Sequence, residues 1–485
     1  RSTHCISSAA SDVYKRQIVS GTLNITSTED GIIGKDLCGI VAGDININAG
    51  SDGIKSTYDT DTTKGNVIIE GGNITIKASN DGIQAENILV INDGTINIKT
   101  NNGAADTTQT HIDNMDMGRG GFGFNNNKTT TTTDDTSESR KGIKAGNMLI
   151  INDGDITIDS DDDSVHCNSV IYIYGGTINA ATGDDGVHAD DLLTVNGGTI
   201  NITQCYEGLE ADDIVINDGD ISVVSSDDGI NSSDGSITIN GGNLLINASG
   251  DGLDANGSII INGGYIVVLG PTSDGDTAID YDDSCTINGG TVMAFGSSGM
   301  LEIPKGASNG ACIVTAFTSV SGGSKYTLSD SNGNEILSYT PSKAYAAAIV
   351  YSDKITTGNT YNITAGSTTL SIEVTSDVTS NVSSGFGGAG GMNKPGNGGS
   401  GMPNNGSSDN GMNGNSNGSM PDMSGNGAPD MNGNSSGDMP SMGGNSSNNS
   451  GNMPNMNNGS SNVNAPQMNN CLLYTSPSPR DTERS

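Results

Sequence analysis

Carboxylates recur in this chain at a nearly fixed interval. An acidic residue stands at positions 163, 185, 207, 228 and 251, in steps of 22, 22, 21 and 23 residues. Others keep the same phase. Asp162, Asp184 and Asp227 lie one place before; His166, His188, Glu210, Asn231 and Asp254 lie three places after; Asn168, Asp190, Asp212, Ser233 and Asn256 lie five after. If successive repeats stack, each phase becomes a column with members about 4.8 Å apart. Carboxylates at that spacing repel by roughly 1 kcal/mol in water and about 3–4 kcal/mol at an effective dielectric near 20. Such a column calls for a counter-charge. Ca²⁺ takes about six to eight oxygens from Asp, Glu, Asn and main-chain carbonyls, which are the donors on offer. The expected ligands are Asp162, Asp163, Asp184, Asp185, Asp190, Glu207, Glu210, Asp212, Asp227, Asp228, Asp251 and Asp254, with Asp185 and Glu207 outside the apolar core. The competing reading is plainer. Asp before Gly serves turns through its own hydrogen bonds, so any one of these residues has a structural alternative. His166 and His188 share a column and suit a transition metal or, more simply, a solvated face.

What would stack them is legible in the text of the repeat. Asp185-Gly186-Val187-His188-Ala189 is followed by Leu193, Val195, Asn196-Gly197-Gly198, Ile200 and Ile202, and the next passes repeat this order. Aliphatics alternate at spacing two, which is strand periodicity, and no segment keeps a three-four spacing. A fixed period near 22 residues marks a solenoid. One short set of strands cannot bury its own apolar face, whereas stacked coils bury a continuous one. The Leu-x-x-Leu-x-Leu pattern of leucine-rich repeats is absent. The expected fold is all-β, a parallel β-helix, right-handed by the crossover preference.

Turn glycines at 21, 43, 72, 94, 154, 176, 198, 219, 242, 264 and 290 count eleven coils, a rod on the order of 50 Å long. The long step from 94 to 154 holds an insertion over 104–140, with Phe122 and Phe124 available to a sugar ring if it folds over a groove. A plain surface excursion is the alternative. The β-helix is thus expected over 18–300. Strand signals without the period, and a hairpin turn at Ser331-Asn332-Gly333-Asn334, predict a C-terminal β cap over 301–376. The Gly-, Asn-, Ser- and Met-rich stretch 377–470 has too little apolar surface to order itself. Segments 1–17 and 471–485 break the pattern, look like translated sequencing adapter, and are set aside as non-native. A signal peptide is then expected beyond this fragment, and the protein is expected to be secreted or on the cell surface.

A net charge of −36 argues against nucleic acid, whose phosphates require Lys and Arg, and favours cationic partners. The seven Cys show no metal-finger spacing, and Cys38 and Cys285 fall at interior strand positions as small hydrophobes. No stretch is long and apolar enough to span a membrane as a helix. A monomer is expected.

The Asp-Gly-Ile-x-Ala…Ile-x-Ile-Asn-Gly-Gly-x-Ile-x-Ile repeat, the Ser-Glu-Ser-Arg-Lys-Gly-Ile-Lys-Ala junction after the insertion and the Met-, Gly- and Asn-rich tail resemble one family. It is the clostridial secreted carbohydrate-binding β-helix family, whose fold is similar to that of pectate lyases. The resemblance covers about 18–375 and implies calcium and a polysaccharide partner, cellulose or acidic plant sugars. Three functions follow from these readings. The preferred one is a non-catalytic, calcium-assisted binder of plant cell-wall polysaccharide. The second is a calcium-dependent polysaccharide lyase, with Lys144 as the base that removes the proton α to a uronate carboxylate. Basic residues are expected to be sparse around Asp162 and Asp163, which counts against it. The third is a structural or adhesive surface rod. The absence of Trp weakens a flat crystalline-cellulose platform and leaves Ca²⁺-bridged acidic sugar the stronger candidate.

Overall fold

The computed structural model describes residues 15–61, 63–104 and 139–382, all of them strand, turn or irregular, with no helix among them. Phe122 and Phe124 lie outside the described residues. No helix long and apolar enough to cross a membrane occurs among those described. The chain is a parallel β-solenoid of about 12 turns.

Each coil carries three strand positions, as in Val165–Cys167, Val170–Ile173 and Thr177–Thr182. The first face stacks Ile143, Val165, Val187 and Leu209 in register; the second stacks Leu149, Ile171, Leu193 and Ile214. The third pairs Ile96 with Ile156 and Ile156 with Ile178. Alternation places every second side chain inside, and a slip of one residue would expose each apolar column at once, so pattern fixes register. The interior is one continuous core that includes Cys38, Cys167, Cys205 and Cys285 as buried free thiols.

All eleven turn glycines adopt positive φ, between +82° and +127°, where only glycine is unstrained. A second glycine column follows the acidic one. A Cβ at Gly208 would stand 2.2 Å from the Gly229 carbonyl oxygen and 2.4 Å from Val223. The column has a serine at Ser164, and there the interior partner shrinks too: Ile158, which a Cβ at Gly142 would meet at 2.5 Å, is followed in register by Ala180. Gly208→Ala has no such relief and is expected to cost about 1–3 kcal/mol, the usual penalty for overpacking. A thermal melt unchanged from wild type would contradict the close contact.

The C-terminal end is closed by strands of opposite direction. Tyr345–Ser352 pairs antiparallel with Thr291–Gly296 and with Ala311–Val320. Cys312, Val314, Ala347, Ile349 and Tyr351 continue the solenoid core. Their alternate neighbours join a second core with Val267, Leu269, Met293 and Phe295, under the antiparallel sheet of Glu335–Tyr339, Tyr326–Asp330, Thr360–Ala365 and Thr368–Glu373. The expected hairpin turn is present, with Asp330 accepting from Asn332 and Asn334.

Two expected boundaries move. Val378–Ser380 pairs with Ala311–Val320, so ordered chain passes the cap's expected end at 376. Lys15–Ile18 pairs with Leu37–Ile40, so residues 15–17, set aside as foreign, form part of the first coil. Strand pairing is made by the main chain and accepts side chains that break a sequence pattern.

Candidate functional site

The acidic column is a ladder of hydrogen bonds between coils. Asp163 Oδ1 accepts from the Asp185 N–H at 3.1 Å, Asp185 Oδ1 from Glu207 at 3.2 Å, and Asp228 Oδ1 from Asp251 at 2.6 Å; Asp251 accepts from Thr277. The ladder begins earlier than expected, since Asp30, Asp52 and Asp81 accept from Asp52, Asp81 and Lys141 in the same way. These residues share the phase of the later ones and precede Gly31, Gly53 and Gly82, so extending the period upstream would have found them. One oxygen of each aspartate in the column therefore holds the stack together, while Glu207 accepts from the Asn231 side chain instead. The second oxygen is left to interact with charge.

How that second oxygen is satisfied changes along the rod. Toward the N-terminal end basic side chains pair with members of the column and with its acidic neighbours. Lys55 pairs with Asp52 at 2.5 Å, Arg140 with Asp161 at 2.8 Å, and Lys141 with Asp162 at 3.0 Å and Asp163 at 2.6 Å. This corrects the expectation that basic residues are sparse there. Lys141 occupies the ladder position itself, a phase in which the neighbouring coils carry acid. Asp163 is only 1% exposed. Burial alone would raise its carboxyl, but Lys141, His166 and His188 reverse this and hold it well below the usual range.

At the middle, His166 and His188 follow Lys144 in one register column and meet edge to face, ring centroids 4.9 Å apart. Around His188 Nδ1 stand three carboxylates from three successive coils: Asp185 and Glu210 at 3.3 Å and Asp163 at 3.7 Å. Asp185, expected outside the core, is buried, and burial followed by Asp163, Asp184 and Glu207 pushes its carboxyl well above the usual range. Glu207 and Glu210 are pushed up to about 8, chiefly by burial.

Toward the C-terminal end no base among the described residues intervenes at Asp228, Asp251 or Asp254. Burial and mutual repulsion raise Asp228 to about 8, Asp251 to about 9 and Asp254 to about 6. The charges that raise them further (Asp227, Glu207, Asp280 and Asp282) are all acidic.

The structure thus brings the predicted ligands into separate clusters. Asp162, Asp163 and Asp184 converge, as do Asp185 and Glu210 about His188, and Asp228, Asp251 and Asp254; within each, one ligand atom per residue lies within 4.8 Å of the others. Asp190, Glu207, Asp212 and Asp227 fall outside these groups. Asp190 is exposed, 3.6 Å from His188 Nε2. Glu207 accepts from the Asn231 amide at 2.8 Å, and Asp212 from the Ser233 hydroxyl at 3.1 Å. Lys144 reaches Ser139 Oγ at 3.2 Å.

A second feature went unread in the sequence. At the turn after the second face, asparagines form their own ladder: Asn152 donates to Asn92, Asn217 to Asn196, Asn240 to Asn217, Asn262 to Asn240 and Asn288 to Asn262, at 2.7–3.0 Å. Between Asn152 and Asn196 the ladder is broken by Tyr174, whose ring lies 41% exposed and stacks on Tyr172, centroids 6.3 Å apart and planes 22° apart. Tyr172 sits in the outward column of the second face with Ile150, Thr194 and Val215. The sequence signal was the departure from Asn at a turn that otherwise repeats it from Asn92 to Asn288.

A family model described as "Carbohydrate-binding domain-containing protein" matches residues 4–186 and 184–305. No curated protein and no solved structure matches the chain.

Proposed function

We infer the function from one premise, that this chain belongs to the family of carbohydrate-binding domain-containing proteins. It is an extracellular, non-catalytic binder of plant cell-wall polysaccharide, assisted by Ca²⁺. The observation that carries this reading is the Tyr172–Tyr174 pair. An interlocking amide ladder is interrupted at one coil in favour of two stacked rings, Tyr174 exposed and Tyr172 half-buried. Aromatic faces bury large area at low entropic cost and commonly dominate binding. Ile68, Val90 and Ile150 on the same outward column offer the flat, weakly polar strip along which a sugar chain would lie. A wall polymer is met outside the cell, so the reading carries a secreted or cell-surface location with it.

Ca²⁺ is assigned to Asp228, Asp251 and Asp254, where the donors are oxygens only and no base among the described residues competes. Acidic sugar would reach this end of the rod through the ion; neutral sugar would not need it. The lyase alternative keeps Lys144 as its base, yet Lys141 and Arg140 beside it are spent on Asp161, Asp162 and Asp163 rather than held out to a uronate chain. Release of unsaturated uronate that disappears in Lys144→Ala would establish it.

The test is calorimetric titration with cello-oligosaccharide and with oligogalacturonate, each with Ca²⁺ and with chelator. Tyr172→Ala with Tyr174→Ala is expected to weaken binding about tenfold or more, equivalent to 1.4 kcal/mol, while the melt stays near that of the wild type. Unchanged affinity for both sugars would remove the tyrosine pair as the site and favour a purely structural rod.

A further inference from the structure

His166 and His188 are not explained by the ladder, by calcium or by the sugar face. Their imidazoles lie on successive coils, on the outward column that carries Lys144 before them and Glu210 after. His166 is 8% exposed. Its Nε2 is tied to Asn168 Oδ1 at 2.9 Å; an amide oxygen only accepts, so Nε2 carries the hydrogen. In a ring that binds a metal this leaves Nδ1 as the ligand atom, facing Asp163 and His188. Nδ1 makes no hydrogen bond, although Asp163 Oδ2 stands 2.8 Å away, close but out of line. A buried nitrogen and a carboxylate oxygen this close can hold a proton or one metal ion between them, the ion after a small outward shift to the spacing of tetrahedral ligands. The fixing of the outer ring nitrogen by a hydrogen-bonding partner is the usual support for a metal-bound histidine.

We propose that His166 and His188, with the carboxylates of Asp163, Asp185 and Glu210, form a site for one divalent first-row transition ion such as Zn²⁺. The ligand atoms of Asp163, His166 and His188 lie within 4.8 Å of one another, and those of Asp185, His188 and Glu210 do likewise. His188 belongs to both sets, so one ion beside it draws its ligands from three coils. Imidazole nitrogen selects this class of ion over Ca²⁺ and Mg²⁺, which prefer oxygen throughout. The site is therefore chemically distinct from the all-oxygen cluster at Asp228, Asp251 and Asp254, and it stands independently of the carbohydrate reading. Asn168 is a positioning residue: it touches His166 and not the ion.

The experiment uses the full chain, stripped with chelator and returned to buffer containing millimolar Ca²⁺, so that oxygen-only sites are filled. Zn²⁺ is then titrated by calorimetry, and Co²⁺ is used as a coloured substitute. The expected result is uptake of one Zn²⁺ per chain, with Co²⁺ giving the visible absorption of nitrogen-and-oxygen ligation. His166→Gln with His188→Gln should abolish both signals while the Ca²⁺ response and β-rich spectrum persist. Asn168→Ala should weaken Zn²⁺ by about 10- to 100-fold, as loss of an outer partner does. No Zn²⁺ uptake by the wild type, or uptake undiminished in the folded double-histidine variant, overturns the proposal. Should the double variant fail to fold, Asn168→Ala decides: unaltered Zn²⁺ affinity counts against the site, and weakened affinity with an unaltered melt in chelator supports it.

Discussion

Lys141→Met is expected to destabilise the solenoid by about 3–5 kcal/mol, the range found when one partner of a buried ion pair is removed. The side chains of Lys141 and Asp163 are 14% and 2% exposed, so water can replace little of what the ammonium supplies. Asp162 loses its partner as well. Methionine keeps the stem and its packing, so the change isolates the charge. The deficit arises because Asp163 cannot drop its role to avoid the cost: its Oδ1 must go on accepting from Asp185 to hold two coils in register. That sets up a rescue. Asp163→Asn retains the accepting oxygen and discards the charge, so Lys141→Met with Asp163→Asn should recover a large part of the loss. Equilibrium denaturation of the two single variants and the double, all in chelator, measures the coupling. Additive losses would mean that Lys141 and Asp163 do not depend on one another, and the account of an N-terminal ladder paired with basic side chains would fail.

Much of this architecture was legible because a solenoid repeats its instructions. Every turn glycine counted in the sequence has positive φ, and Cys38 and Cys285 lie in the core as their phase required. The columns were legible too: a residue's phase places it over its neighbour, and His166, His188, Glu210, Asn231 and Asp254 stack in that order. What phase does not carry is the sign of the environment. Lys141 occupies an acidic phase and faces Asp162 and Asp163 across one coil, a meeting visible only when the insertion is removed and the coils are superposed. Burial was misjudged for the same reason. Asp185 has the phase of a surface turn residue, yet it is buried, with Asp163, Asp184 and Glu207 close by. Tyr174 was missed because a ladder is recognised by its members, and the informative position was the one that departed from them.

Calcium is expected to stabilise the protein, and the response should depend on pH in a way that turn chemistry alone cannot give. The carboxyls of Asp228, Asp251 and Asp254 are raised in the folded chain to about 8, 9 and 6, by burial and then by other carboxylates. In the unfolded chain each returns to about 4. Between those limits the folded state binds more protons than the unfolded one, so stability falls as pH rises from about 4 through the folded values. Stripped protein should accordingly melt higher at pH 6 than at pH 8. A cation bound by the ionised carboxylates reverses the ranking, because it competes with protons and is held more tightly at pH 8. The added stability is about 2.7 kcal/mol at one hundred times Kd and about 4.1 kcal/mol at one thousand times Kd. Asp228→Asn with Asp251→Asn separates the two roles of these residues. Asparagine keeps the oxygens that accept from Asp251 and Thr277, so the ladder survives. The variant should melt above the wild type in chelator at pH 8, having lost the repulsion, and should no longer respond to Ca²⁺. A wild-type melt indifferent to millimolar Ca²⁺ at pH 8 would reduce this end of the ladder to a device for stacking coils, and calcium-bridged binding of acidic sugar would go with it.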